Sequence, residues 1–270
     1  MSSRYEESYL HLLQRLLEAP IRMDRTGTGT RGLFGVQLDV SLEEGFPLLT
    51  TKKVHFKSVL YELFWFLRGD TSLKYLHAHG VTIWDEWADE QGNLGPIYGY
   101  QWRRWPGYQG QAYDQLAAVV RTLRENPYSR RMLVSAWNVA LLHEMRLPPC
   151  HVLFQFYAEP DTRRLSIQVY QRSADAFLGL PFNVASYALL LHIVAQCADY
   201  TPHRVIFALG DVHLYRNHEE QARLQLSRKP YPLPRIELAP YKYELDAFGH
   251  EDVRLVGYQH HPAIPAPVAV

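Results

Sequence analysis

Few side chains in these 270 residues are poised for covalent chemistry, and Cys150 stands out among them. It follows Arg146-Leu147-Pro148-Pro149 and opens the alternating stretch from His151 to Tyr157. Two prolines fix the chain and deny it helix. The sulfur is thereby set at the mouth of a strand, where it can face a cleft as a nucleophile. Position alone weighs more for a small core residue. The only other cysteine, Cys197, shares a helical face with Tyr187, Leu190, Leu191 and Val194 and reads as core. A Cys150–Cys197 disulfide is disfavoured in a reducing compartment. With no CxxC or CxxH spacing the pair does not make a structural zinc site, and no metal is expected.

Four arginine positions could serve an anion. Arg25 lies in the glycine- and hydroxyl-rich run DRTGTGT, Arg130 and Arg131 follow Ser129, and Arg172 sits between Gln171 and Ser173. Guanidinium forks beside hydroxyls suit a phosphate dianion. Each taken alone also reads as a solvated surface charge. DRTGTGT is not a P-loop, because the terminal Gly-Lys-Ser/Thr is missing. Glu62 is a lone acid in the apolar run LYELFWFL, where burial without a partner is costly. Two further runs, PFNVASY around Asn183 and GDVHLYRNH with His213 and Tyr215, carry more polar groups than a core needs. The second reads as the hydrogen-bonding wall of a site.

Positioning these groups requires a framework. Leu10, Leu13, Leu16 and Leu17 mark a helix before Pro20. Phe34 to Val40 alternates as a strand, and Phe56 to Leu67 is a helix stopped by Gly69. A helix follows over Leu116 to Leu123. The strand-rich block comes next: Met132–Trp137, Cys150–Tyr157 with Cys150, Val152, Phe154 and Phe156 on one face, and Arg164–Gln171. The link EPDTRR predicts a hairpin. A regular helix over Tyr187–Cys197, a strand over Val205–Leu209 and a polar helix from about Leu214 to Leu226 complete the chain. Clustered strands with irregular helices predict an α+β fold, and 270 residues suit one large domain or two small ones. Apolar residues make up 47% of the chain, enough for a sizeable core. Formal charge is balanced at +0, which advertises neither a nucleic-acid footprint nor a basic membrane face. The polar start MSSRYEESYL has no signal-peptide core. The longest apolar stretch, Val184–Ala198, is too short to span a bilayer. A soluble, cytoplasmic protein is expected.

The quoted runs, together with TIWDEWADE, LGPIYGYQWR and SRRMLVSAWN, closely resemble the thymidylate synthase family, in order and from Asp24 to the C-terminal PVAV. The resemblance implies one domain over 1–270, with a large mixed sheet flanked by helices, and reductive methylation of deoxyuridylate (dUMP) to thymidylate. Methylenetetrahydrofolate then supplies carbon and hydride as co-substrate and leaves as dihydrofolate. It implies Cys150 as the nucleophile at carbon 6 of the pyrimidine, and Arg172 as a contact of both the sulfur and the phosphate. Arg25 and Ser173 join that phosphate, with Arg130 and Arg131 donated across an obligate homodimer. His213 and Tyr215 hold the sugar hydroxyl. Glu62, Tyr98 and His151 form a water-ordering network. Asn183 and Asp175 complete the catalytic and nucleotide-binding set. The implied folate wall comprises Lys52, His55, Ile83, Trp84, Trp87, Asp175, Leu178, Gly179, Phe182 and Ala269. Lys52 and His55 meet the glutamyl tail, and Ala269 and Val270 close over the ligand.

The Asn183 amide offers a donor and an acceptor that complement the carbonyl 4 and N–H 3 of uracil; cytosine has the reverse pattern. On residue type alone Asn183 also suits a helix N-cap. A deoxycytidylate hydroxymethylase of the same fold is the nearest alternative, opposed by Asn183 and Trp84. Binding of RNA is secondary. A cysteine hydrolase using His151 is weaker, since neighbours on a strand face opposite ways. The sequence departs from the family pattern at GYQHHPAI, where His260 replaces the usual proline and puts a sugar contact by Tyr258 in question.

Overall fold

Ser3 starts the first helix by accepting the Glu6 N–H, and Pro20 forbids its continuation. The structure is a computed structural model and describes residues 3–24 and 26–268. In chain order the elements begin with α1 (Arg4–Glu18), β1 (Ile21–Arg22), β2 (Thr30–Ser41), α2 (Phe56–Leu67) and α3 (Lys74–Ala78). Then come α4 (Gly99–Arg104), β3 (Trp105–Pro106), β4 (Ala112–Tyr113), α5 (Gln115–Glu125), β5 (Leu133–Ser135), β6 (His151–Glu159) and β7 (Arg164–Asp175). The chain ends with α6 (Gly179–Cys197), β8 (Thr201–Tyr215), α7 (Glu219–Leu226), β9 (Arg235–Leu238) and β10 (Val253–Val256).

The main sheet has six strands in the order β1-β2-β8-β7-β6-β5. EPDTRR does close the β6–β7 hairpin, with Glu159 opposite Arg164. The β7–β8 pair is parallel, so the chain must cross over between them, and α6 is that crossover. By length and composition α6 could cross a membrane, yet 78% of its apolar window is buried inside the fold. It is the core helix, packed on the sheet face formed by Phe154, Phe156, Ile167, Val169, Val205 and Phe207. The opposite face of the sheet carries Phe34, Leu133, Tyr157 and Tyr170, all exposed in the single chain.

Three expectations need correction. The register of β6 shifts between His151 and Leu153, so the extra residue turns His151 inward while Val152 is only half-buried. A bulge re-aims side chains in this way, and strict alternation could not foresee it. Helix α6 begins at Gly179, so Asn183 lies in its second turn and is not an N-cap. Strand β8 runs on to Tyr215, and the following helix starts at Glu219 rather than Leu214. His213 and Tyr215 are therefore strand residues, on the same side of β8.

Candidate active site

Cys150 sits half-buried immediately before β6. Its backbone N–H donates to the Tyr98 hydroxyl at 2.8 Å, and its carbonyl accepts the Arg172 N–H at 2.8 Å. The prolines add a second function. With sheet pairing not yet begun, their carbonyls are available, and Arg172 takes both: Nε to Pro149 O at 2.8 Å and Nη2 to Pro148 O at 2.9 Å. The Trp137 ring lies 5.4 Å from the guanidinium. The cation is thereby fixed beside the sulfur, and Nη1 has no hydrogen-bond partner among the described residues. Burial still pushes the Cys150 thiol above its ordinary value, with Arg172 and the Tyr98 contact pulling it down. Without ligand the desolvation outweighs the cation.

Tyr98 is held in a left-handed conformation, φ 31° and ψ −94°, at the start of α4. The cause is the next residue. A Cβ on Gly99 would lie 2.2 Å from the Phe66 carbonyl oxygen, so only glycine allows α4 to press on the end of α2. The Tyr98 ring stacks on His151 at 4.2 Å and packs against Phe66 and Trp84. Helix α2 brings Glu62 to the same cluster, where it accepts the Trp84 indole N–H at 2.8 Å. Burial raises its carboxyl to about 7, and the Trp84 bond opposes that rise. Burial lowers His151 to about 3, so its ring is neutral.

Helix α6 reaches the site with residues one turn apart. Gln171 and His151 are cross-strand partners, and both point at the helix. Gln171 Nε2 donates to Asn183 Oδ1 at 3.0 Å, and His151 Nδ1 meets the Tyr187 hydroxyl at 2.8 Å. The spacing of 183 and 187 is the i, i+4 pair of one helical face. Gln171 thus fixes the amide: Nδ2 is left as a donor, and the second lone pair of Oδ1 as an acceptor. At the end of β7, Ser173 and Asp175 lie opposite Asp211 and His213 of β8. His213 Nδ1 is 3.1 Å from Asp211 Oδ1, and Tyr215 packs edge-on to His213 at 5.2 Å. Asp175 Oδ1 accepts the N–H groups of Phe177 and Leu178, which shapes the turn into α6.

Residues that the resemblance assigns to a folate wall keep part of their surface open. Trp84 and Trp87 meet edge to face at 5.7 Å, and Ile83, Leu178, Gly179 and Phe182 remain partly open. Asp175 adds a hydrogen-bonding oxygen at the same turn, so these residues fit a pterin-like ring. Lys52 behaves otherwise than a solvated tail cation. It is 6% exposed, its ammonium donates to the Phe177 carbonyl and lies 3.5 Å over that ring, and burial lowers it to about 7. His55 is exposed at the start of α2 and bonds Ser58. The Tyr258 hydroxyl donates to the Leu49 carbonyl and accepts the Val54 N–H, so its one proton is committed to the backbone.

Arg130 and Arg131 are exposed. The Arg130 carbonyl is held by the Gln155 side chain, and Gln155 lies five residues along the strand from Cys150, roughly 17 Å of backbone. Arg25, Ala269 and Val270 lie outside the described residues. Sequence reasoning missed Gln171, Tyr187 and Trp137. Gln171 carried a signal, as the next inward position after Leu165, Ile167 and Val169. Tyr187 carried another, as a phenol on a buried helical face that must find a partner.

The family model described as thymidylate synthase matches residues 7–270, which includes every described residue of this cluster. The match spans nearly the whole chain, and the chain belongs to the thymidylate synthase family of methyltransferases.

Proposed function

We propose that this chain converts deoxyuridylate to thymidylate, with methylenetetrahydrofolate as carbon and hydride donor, from a site centred on Cys150. The observation that carries the reading is the thiol at a strand mouth, flanked by an arginine that the preceding prolines hold in place. Cys150 adds as thiolate to carbon 6 of the ring, and the displaced electron pair moves toward carbon 5 and the oxygen at position 4. Bound phosphate on Arg172 and Ser173 seats the nucleotide; Arg172 also compensates the thiolate. Asn183 donates to the oxygen at position 4 and accepts from N–H 3. Glu62, raised to about 7, gives and takes a proton with comparable ease at neutral pH. Tyr98 holds the water that removes the carbon-5 proton once that carbon has bonded the methylene. Loss of that proton expels tetrahydrofolate from the bridging methylene by breaking its carbon–nitrogen bond, which leaves an exocyclic methylene. Trp84 keeps bulk water from it until the expelled tetrahydrofolate delivers hydride and becomes dihydrofolate; the electron pair restores the carbon 5–carbon 6 double bond and Cys150 leaves carbon 6.

The working unit is a homodimer built on the exposed sheet face. Phe34, Leu133, Tyr157 and Tyr170 leave a large apolar surface there, which favours a partner. Arg130 and Arg131, exposed and with the Arg130 backbone anchored at Gln155 down the strand from Cys150, complete the phosphate site of the neighbouring subunit. The test is an assay of the purified protein with deoxyuridylate and methylenetetrahydrofolate, following dihydrofolate. Thymidylate and dihydrofolate are expected in equal amounts, with no turnover of deoxycytidylate. A 5-hydroxymethyl product from deoxycytidylate would instead identify a hydroxymethylase.

A further inference from the structure

We propose that Tyr187 is a positioning residue that locks His151 in its Nε2–H tautomer, so that the imidazole presents an N–H donor to the carbonyl side of the bound pyrimidine. This rests on the methylation reading and deepens it. The argument is one of hydrogen-bond accounting. The Tyr187 hydroxyl is sealed in the core, with its ring against Trp102, Phe154 and Phe207. Its one hydrogen-bond partner among the described residues is His151 Nδ1, at 2.8 Å. A buried phenol with a single partner must donate to it, because accepting would strand its own hydrogen in an apolar pocket. His151 Nδ1 therefore carries the lone pair. The ring is neutral, so the proton is on Nε2.

Nε2 has no partner within the described chain, yet it is not among the buried atoms left unsatisfied. It touches solvent, next to Cys150. The stack on Tyr98, at 4.2 Å and 29°, fixes the ring plane, and the bulge in β6 turns it inward. A donor held here acts on the negative charge that gathers on the position-4 oxygen when Cys150 adds to the ring, directly or through one water. The opposite tautomer would offer a lone pair to that charge and repel it.

The test is the ¹⁵N–¹H spectrum of selectively labelled protein, which separates protonated from bare imidazole nitrogens, read beside turnover. Wild type is expected to show His151 protonated at Nε2. Tyr187→Phe keeps the ring packing and should lose that single-tautomer signature. Its kcat should fall about tenfold, the size expected for stranding one buried acceptor, with little change in nucleotide KM. A wild-type spectrum with the proton on Nδ1 overturns the inference without need of any variant. So does a Tyr187→Phe protein with unchanged tautomer and unchanged kcat. Correct tautomers in a protein that forms no thymidylate would retire the functional reading and leave the Tyr187–His151 assignment standing, so the two failures are distinct.

Discussion

At the scale of single residues the site depends on groups that are not in their solution state. Glu62 is the clearest case, since burial raises its carboxyl from 4.5 to about 7. The folded chain holds that proton more tightly than the unfolded one. The resulting stabilisation is complete below about pH 4.5 and is lost as pH rises through about 7. Glu62→Gln should therefore unfold at higher urea than wild type above pH 7, with the gain vanishing in mild acid. The same variant should lose most of its turnover, and the limb of the wild-type kcat/KM profile near pH 7 should disappear with it. Asn183 tests polarity instead. Asn183→Asp replaces a donor by an acceptor, and competition assays should show preference moving from deoxyuridylate toward deoxycytidylate. Unchanged preference would refute the amide's role. Residue type alone left Cys150 between core and nucleophile, Arg172 between surface charge and anion contact, and Asn183 between cap and specificity group; their roles came into view only through the motifs around them, because each residue type serves both uses. Gln171 and Tyr187 were not singled out, because each acts only through a neighbour that the fold supplies.

Among the elements, the junction of α2 and α4 does the placing. Its contact of Gly99 with the Phe66 carbonyl leaves no room for a methyl group, and the neighbouring Tyr98 takes a strained backbone to reach Cys150. Gly99→Ala should cost about 2 kcal/mol or more in denaturant unfolding, as forced overpacking does, and should lower kcat by moving the Tyr98 hydroxyl. Normal stability and turnover would show that α4 can shift freely. Sequence periodicity located α1 and β7 well, because each has one apolar face, and α2 was found by its nearly unbroken apolar run, which the fold buries on almost every side. Periodicity misjudged the start of α6, whose N-terminal turn is set by Asp175 and not by a residue next to the helix. The inward turn of His151 was equally hidden, since a bulge is a property of two paired strands and not of one.

For the whole molecule, the exposed sheet face and the stranded arginines make one claim: each site is completed by another copy. A dimer is expected in sedimentation, and Tyr157→Arg, which places a charge on that face, should weaken it. Mixing subunits is sharper. Cys150→Ser and the double variant Arg130→Ala/Arg131→Ala should each be nearly inactive alone. Refolded together in equal amounts they should regain roughly a quarter of wild-type activity, because half the dimers are mixed and each holds one intact site. No recovery from mixed dimers would mean that those arginines serve the site of their own chain, and a fully active double arginine variant would place them outside the site. Composition indicated a sizeable core and a neutral surface, but only the three-dimensional contact with Gln155 shows where along the strand the Arg130 backbone is anchored.

The central claim is that Cys150 activates the pyrimidine for methylation, and its most direct measurement follows the hydrogen at carbon 5. Deoxyuridylate tritiated at that position is mixed with methylenetetrahydrofolate and either wild-type protein or Cys150→Ser. Wild type should release tritium to water in step with dihydrofolate, one for one, and Cys150→Ser should lose both by about a thousandfold or more while still binding nucleotide. Tritium release and dihydrofolate formation that persist in folded Cys150→Ser would contradict the account.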